Sequence, residues 1–237
     1  MRGRNGSFVG LAAAVLVAVA LQAAAPAQVG AQAGTQVGPP DPARLPLLLV
    51  PGWGDDASNL ATLRERLVDE GWPDSTVVSL TFVDPVGSNR RHAAEVAEAV
   101  ARLRALTGAP RVDILAHSMG GLAVRRYLYD GGQDAVRKVA FLATPHHGTR
   151  LAYLGWGQGA REMEPGSPFL LDLRKARPVP DGVDAITIRT PIDLHILPQE
   201  SAELDGVPDV PVCCPTHAGL LEDEPTFRVI LRFLMGQ

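Results

Sequence analysis

Short apolar runs alternate with segments of helical periodicity along most of the chain. Runs that are almost purely apolar or β-branched, as in buried strands, predict strands at residues 45–50, 76–82, 112–116, 136–143, 185–190 and 210–213. Apolar side chains recur every three or four residues between them, which predicts helices around residues 60–67, 93–106, 120–129 and 224–235. Such alternation predicts an α/β fold, in which helices cover both faces of a mostly parallel sheet. Residues 149–184 contain no clear strand.

The first 43 residues follow a different pattern. Arg2 and Arg4 precede an apolar run at residues 8–25, and a small-residue stretch ends in Ala25-x-Ala27. This order predicts an export signal over residues 1–27, cleaved after Ala27. A retained membrane anchor is the alternative, because the run is about long enough to span a bilayer. The Gly-, Pro- and Gln-rich residues 28–43 predict a flexible leader, so the folded domain is expected at residues 44–237.

Charge and composition narrow the class of protein. The chain is 46% hydrophobic, and loss of residues 1–27 leaves 20 basic against 26 acidic residues, a net charge of −6. This acidity argues against nucleic-acid binding. No Cys and His residues have the spacing of a structural zinc site, so we expect neither a metal nor a cofactor. We also expect a monomer that is secreted to the periplasm or the medium.

The clearest chemical motif is the sequence Ala-His-Ser-Met-Gly-Gly at residues 116–121, which lies between a predicted strand and a predicted helix. A serine nucleophile in a tight strand-to-helix turn needs small residues two positions before and after it. Ala116 and Gly120 meet that need on either side of Ser118. The alternative is an ordinary helix N-cap serine.

This serine turn resembles that of the small secreted bacterial lipases and esterases of the α/β-hydrolase superfamily, and its alanine is similar to that of the lidless Bacillus lipases. Residues 48–54, Leu-Leu-Val-Pro-Gly-Trp-Gly, resemble the first oxyanion loop. Residues 143–149 and 163–170 resemble segments of class-2 lipases. The resemblance implies an α/β-hydrolase fold with a minimal lid or none. It also implies hydrolysis of carboxylic esters, acylglycerols among them, with transient contact with lipid surfaces.

The resemblance also implies the roles of particular residues. Ser118 is the expected nucleophile and His217, in the loop before the terminal helix, the expected base. Asp193 follows a buried strand and precedes that loop, so it is the expected acid; Asp205 and Asp209 lie closer to the next strand. The backbone N–H groups of Met119 and Trp53 are the expected donors to the oxyanion.

Other residues carry weaker signals. Cys213 and Cys214 are adjacent; two small buried thiols are the simpler interpretation, and a disulfide between neighbours is the alternative. Leu151, Leu154 and Trp156 are expected in the core by default, although they are also candidates for an acyl pocket. His92 lies in a helical pattern and is expected to be solvated.

Two other functions fit the same residues. A thioesterase or an amidase uses the same triad, and the shape of the pocket decides between them. A binding protein without catalytic activity on this scaffold is expected to have lost the serine, the acid or the histidine, and all three have candidates here.

Overall fold

The computed structural model describes Asp41 and residues 43–237. The predicted export signal, residues 1–27, lies outside the described residues, as does most of the predicted leader. None of the described helices combines the length and the apolarity that a membrane span requires.

Six strands form a single sheet in the order β2-β1-β3-β4-β5-β6, and all five strand pairs are parallel. The strands are β1 (Leu47–Val50), β2 (Val77–Ser79), β3 (Val112–His117), β4 (Val136–Leu142), β5 (Asp184–Arg189) and β6 (Asp209–Pro211). In a parallel sheet the carboxyl ends of all strands lie at one edge, so the loops that follow them meet there.

Among residues 43–237, six α-helices connect or follow the strands. They are α1 (Ala61–Asp69), α2 (Asn89–Thr107), α3 (Met119–Tyr129), α4 (Gly157–Met163), α5 (Pro168–Leu173) and α6 (Glu224–Met235). The longest, α2, begins where the Ser88 hydroxyl accepts a hydrogen bond from the Arg90 N–H and ends at Gly108, whose φ is 70°. Short 3₁₀ helices lie at Ala57–Leu60, Asp74–Thr76, Gly132–Ala135, Arg150–Leu154, Gln199–Ala202 and Ala218–Leu221.

The core has two layers, one on each face of the sheet. Leu48 and Val50 of β1 point to the layer that α2 and α3 cover, while Leu47 and Leu49 point to the layer that α1 and α6 cover. Successive strand residues face opposite sides, and both sides are buried here, which explains why β1 is apolar throughout. The predicted parallel sheet with helices on both faces is confirmed.

Several predicted boundaries and environments were wrong. The strand predicted at residues 76–82 is only Val77–Ser79, and the last strand ends at Pro211 instead of Cys213. His92 is 1% exposed rather than solvated. Its ring stacks on Phe82 at 3.9 Å, and its Nε2 lies 2.8 Å from the Asp84 carbonyl oxygen. The ring is buried because the loop after β2 folds over this face of α2.

Candidate active site

Ser118 lies in the tight turn between β3 and α3. Its φ of 53° and ψ of −129° place it in a region that residues other than glycine rarely adopt. A Cβ at Gly120 would overlap the Pro51 carbonyl oxygen. The need for a glycine two residues after the serine therefore comes from the close approach of the β1 loop.

The structure brings the three predicted side chains into one hydrogen-bonded chain. The Nε2 atom of His217 lies 3.0 Å from the Ser118 Oγ, and its Nδ1 lies 2.7 Å from the Oδ2 of Asp193. Asp193 follows β5, and His217 lies between β6 and α6. The side chains thus come from the carboxyl ends of three strands. A carboxylate only accepts hydrogen bonds, so the Nδ1 of His217 carries the proton.

The second oxygen of Asp193 is also held in place. Its Oδ1 accepts hydrogen bonds from the backbone N–H groups of His195 at 2.7 Å and Ile196 at 2.9 Å. The rival acids have other positions: Asp209 contacts Thr187 and Arg189 along the edge of the sheet, and Asp205 is exposed.

The two predicted oxyanion donors flank the serine turn. Met119 is the first residue of α3, so its N–H has no partner within the helix. Trp53 follows Gly52, where a Cβ would lie 3.1 Å from the Cβ of Ser118. Within the described part of the chain, neither backbone N–H donates to a protein acceptor.

A cavity of about 460 Å³ opens above Ser118. Its apolar wall consists of Trp53, Leu151, Ala152, Leu154, Gly155, Trp156, Ala160, Met163 and Ile196, and its polar side consists of Asp55, His117, Thr149, His195 and His217. Leu154 is 81% and Trp156 67% exposed, so the core interpretation of these two residues was wrong. They are exposed because the segment after β4 runs along the surface at the rim of the cavity.

Comparison with known proteins identifies the family. A sequence profile of the alpha/beta hydrolase fold matches residues 46–164, half of the chain. The chain belongs to the α/β-hydrolase family.

Solved structures of α/β hydrolases with the same fold include several lipases. Lipase B of Aspergillus fumigatus superposes with a TM-score of 0.70 at 20% identity, over 81% of this chain and 52% of the lipase. The mature lipase BlEst2 of Bacillus licheniformis gives 0.67 at 17% identity, over 84% of this chain and 95% of the lipase. Phospholipase PlaB of Legionella pneumophila superposes with a TM-score of 0.65 at 16% identity, over 79% of this chain and 58% of the phospholipase. This α/β hydrolase therefore spans about half the length of the Aspergillus lipase.

The electrostatics of this hydrolase favour an ionised Asp193. Burial of the carboxyl raises its pKa, but the hydrogen bond from His217 and the backbone donors of Ile196 and His195 together outweigh burial, and the pKa lies below its usual value. An ionised Asp193 is suited to hold the imidazole of His217 in one orientation and one tautomer.

Two further ionisable side chains of the hydrolase lie beside Ser118. His117 is 3% exposed, and burial, with the nearby His217 as the next cause, lowers its pKa to about 3. Its Nε2 lies 3.3 Å from the His217 carbonyl oxygen, while its Nδ1 is buried without a hydrogen-bond partner. Burial also raises the pKa of Asp55, although the proximity of His217 opposes the shift.

The sequence pattern did not point to Asp55. Only its position in the sequence indicates a place near the site. Asp55 directly follows the Pro-Gly-Trp-Gly loop, and that loop lies at the carboxyl edge of the sheet.

Asp193, His195 and His217 also offer potential metal-ligating atoms within 4.8 Å of one another. The 2.7 Å hydrogen bond between Asp193 and His217 already uses one atom of each. The rings of His195 and His217 stack with centroids 4.8 Å apart instead of directing two nitrogens to one point. The arrangement therefore fits a proton-transfer pair better than a metal centre.

Cys213 and Cys214 form a disulfide in the loop that leads to His217. The expectation of two buried thiols was wrong, because both residues are exposed and lie beyond the end of β6. The peptide bond between them is cis and brings their Cα atoms to 2.9 Å.

Proposed function

We propose that this α/β hydrolase cleaves carboxylic esters with Ser118 as nucleophile, His217 as general base and Asp193 as the acid that orients the base. The hydrogen-bonded chain of these three side chains, at the floor of a largely apolar cavity, carries the proposal. The three hydrogen-bonded side chains support the chemistry of ester cleavage, and the apolar cavity supports a substrate with an apolar portion.

The geometry supports a two-step reaction. His217 removes the proton of the Ser118 hydroxyl through Nε2 as the oxygen attacks the ester carbonyl, and Asp193 stabilises the imidazolium that forms. His217 then gives the proton to the oxygen of the leaving alcohol. Water attacks the resulting acyl-serine with the same base, which releases the carboxylic acid and restores the serine.

Charge that develops on the carbonyl oxygen needs preorganised donors. The backbone N–H groups of Trp53 and Met119 are suited to this role, and each such donor contributes about 10²–10³ in rate in well-studied enzymes. The Trp53 indole donates to the Trp156 carbonyl oxygen at 3.2 Å, and the Gly54 N–H donates to the Pro85 carbonyl oxygen at 3.0 Å. Both contacts hold the loop that carries the first donor.

The substrate class follows from the walls of the cavity and its surroundings. Trp53, Leu151 and Met163 offer an apolar surface for an acyl chain. The exposed Leu154 and Trp156 at the rim of the cavity, with the exposed Leu194 next to the cavity residue His195 in sequence, add apolar surface that suits contact with aggregated lipid. We propose acylglycerols as the natural esters.

Labelling with a fluorophosphonate probe tests the proposed nucleophile. The probe should modify Ser118 of the folded protein and lose all reactivity toward Ser118→Ala. Ester hydrolysis by Ser118→Ala should fall by at least about 10³-fold, since the serine provides the covalent step. Hydrolysis near the wild-type rate in that variant would refute the assignment. Ser75→Ala is the matched control, because Ser75 is an exposed serine that lines neither the 460 Å³ cavity nor the smaller cavity beside it.

We also propose export, on the pattern of residues 1–27 alone. Mass spectrometry of the protein recovered outside the cytoplasm should find an N-terminus at Gln28. Recovery of the chain with Met1 still present would contradict cleavage.

A further inference from the structure

A second, polar cavity of about 270 Å³ lies beside the cavity above Ser118. The two cavities share Asp55 and Ala218. The remaining lining of the second cavity is Ser58, Asn59, Thr62, Leu221 and Glu222. It therefore presents two carboxylates and three neutral polar side chains, and no basic side chain lines it.

An unpartnered nitrogen lies in the wall of the first cavity, near Asp55. The buried Nδ1 of His117 has no hydrogen-bond partner and lies 3.8 Å from the Oδ2 of Asp55, too far for a direct hydrogen bond. With Nε2 donating to the His217 carbonyl oxygen, Nδ1 is an acceptor. Two acceptors thus face each other across a gap beside the nucleophile, and neither can donate to the other. The Nδ1 is buried, whereas Asp55 lines both cavities, so a hydroxyl group in a cavity is the simplest donor for Asp55.

Gly52 keeps this gap open. A Cβ there would lie 2.8 Å from the Oδ2 of Asp55, 3.2 Å from the Nδ1 of His117 and 3.1 Å from the Cβ of Ser118. The polar atoms and the nucleophile thus surround a space that any larger residue would fill.

The chemistry decides which part of an ester lies there. His217 returns its proton to the leaving alcohol, so the alcohol lies on the side of His217. Ala218 follows His217 directly and lines both cavities, which places the polar cavity beside the proposed base. Apart from Ala218, the apolar residues of the 460 Å³ cavity do not line the polar one.

We infer that the polar cavity is the subsite for the alcohol portion of the ester, and that it selects alcohols with free hydroxyl groups. Their O–H groups would donate to the carboxylates of Asp55 and Glu222, the two charged acceptors that line this cavity. The substrates of this class are partial esters of polyols, such as a glycerol with one acyl chain. The inference rests on the proposed ester hydrolysis and adds the substrate class.

Two esters that differ only in two hydroxyl groups test the inference. Glycerol monobutyrate and propyl butyrate share the acyl chain and a three-carbon alcohol. For the wild-type protein, kcat/KM should be about tenfold or more higher for the glycerol ester, the ratio that one hydrogen bond to a charged group provides. Hydrolysis of both esters with equal kcat/KM would overturn the subsite and leave the proposed function standing. Hydrolysis of neither would overturn both.

Variants assign the preference to the polar cavity. Asp55→Ala should reduce the ratio of the two kcat/KM values to less than about threefold, and Glu222→Gln, at an exposed position, should reduce it in part. Glu65→Ala removes an exposed carboxylate of α1 that lines neither cavity, so the wild-type ratio should persist. Fluorophosphonate labelling of each variant shows that the site is folded. An unchanged ratio in a labelled Asp55→Ala would overturn the inference.

A third ester separates hydroxyl recognition from simple attraction of cations. Butyrylcholine has the same acyl chain and a cationic alcohol without a free hydroxyl. The inference predicts that the wild-type protein prefers glycerol monobutyrate to butyrylcholine. The opposite preference, lost in Asp55→Ala, would show a cation site instead.

Discussion

The carboxylate of Glu162 in α4 lies 2.6 Å from the backbone nitrogen of Asn89, the first residue of α2. The same carboxylate accepts hydrogen bonds from the Ser88 hydroxyl at 2.8 Å and the Asn89 side-chain amide at 3.1 Å. A buried anion at a helix N-terminus satisfies donors that the helix leaves open. Because α4 also carries Ala160 and Met163 of the cavity wall, this contact fixes the wall to the fold.

Glu162→Ala should therefore lower the free energy of unfolding by about 2–3 kcal/mol, since buried donors lose a charged acceptor. Urea unfolding at pH 7 measures the change. Glu164→Ala, two residues away, is the control: among the described residues its side chain has no hydrogen bond or ion pair, and less than about 0.5 kcal/mol is expected. Equal losses in the two variants would contradict this role of Glu162.

Asp193→Asn should lower kcat by about 10³–10⁴-fold with little change in KM. The amide no longer enforces the His217 tautomer with a proton on Nδ1, and it stabilises the imidazolium less well. Steady-state kinetics with a soluble p-nitrophenyl ester measure both constants. Asp205→Asn changes a rival acid that is exposed, so kcat should stay within about twofold. A large loss in Asp205→Asn and a small one in Asp193→Asn would reverse the assignment.

Two buried histidines make the fold sensitive to acid. Burial lowers the pKa of His117 to about 3, and burial, with Arg125 as the next cause, lowers the pKa of His146 well below 6.5. Below about pH 6.5 the two histidines bind protons in the unfolded chain but stay neutral in the folded chain. Each group then removes about 1.4 kcal/mol of stability per pH unit as the pH falls.

His146→Leu should remove one of these contributions. Both ring nitrogens of His146 are buried without a hydrogen-bond partner, so an apolar side chain suits the site. Urea unfolding between pH 6 and pH 5 should show a slope about 1.4 kcal/mol per pH unit shallower than in the wild type. Parallel pH profiles for the two proteins would exclude His146 as the cause.

We expect the exposed apolar side chains near the cavity to increase the hydrolysis of aggregated lipid but not that of soluble esters. Leu194 is 73% exposed and does not line the cavity, so Leu194→Ser should lower activity on a triacylglycerol emulsion about three- to tenfold, through loss of apolar contact. Activity on a soluble ester should change less than about twofold. Leu106→Ser, at a 61% exposed leucine of α2, is the control. An equal loss of activity on the emulsion in the two variants would argue against a specific contact of Leu194 with lipid.

The sheet and the order of the site residues could be predicted because local sequence determines both. An apolar run such as residues 47–50 has few arrangements other than a strand buried on two faces. The meeting of Ser118 and His217 was predictable because the serine turn has a recognisable sequence and the resemblance to the lipases pointed to a histidine in the loop before the last helix. The environment of Asp55 was not predictable, since it depends on the approach of three loops that lie far apart in sequence.

The exposure of the apolar residues at the rim of the cavity could not be predicted from the sequence either. Leu154 and Trp156 have the composition of core residues, and only the path of the chain after β4 leaves them at the surface. The local sequence shows which side chains are apolar, but tertiary packing determines which of them are buried.

The edge strand β6 has a consequence for how activity is lost. It pairs with β5 through three residues, Asp209–Pro211, and the chain then leads directly to His217. A short edge strand opens locally at a lower free energy than central strands such as β3. His217, the proposed general base, should therefore leave its position while Ser118 stays in place, and amides around His217 should exchange with solvent before those around Ser118. Catalytic competence is then limited by fraying at one end of the sheet, ahead of global unfolding.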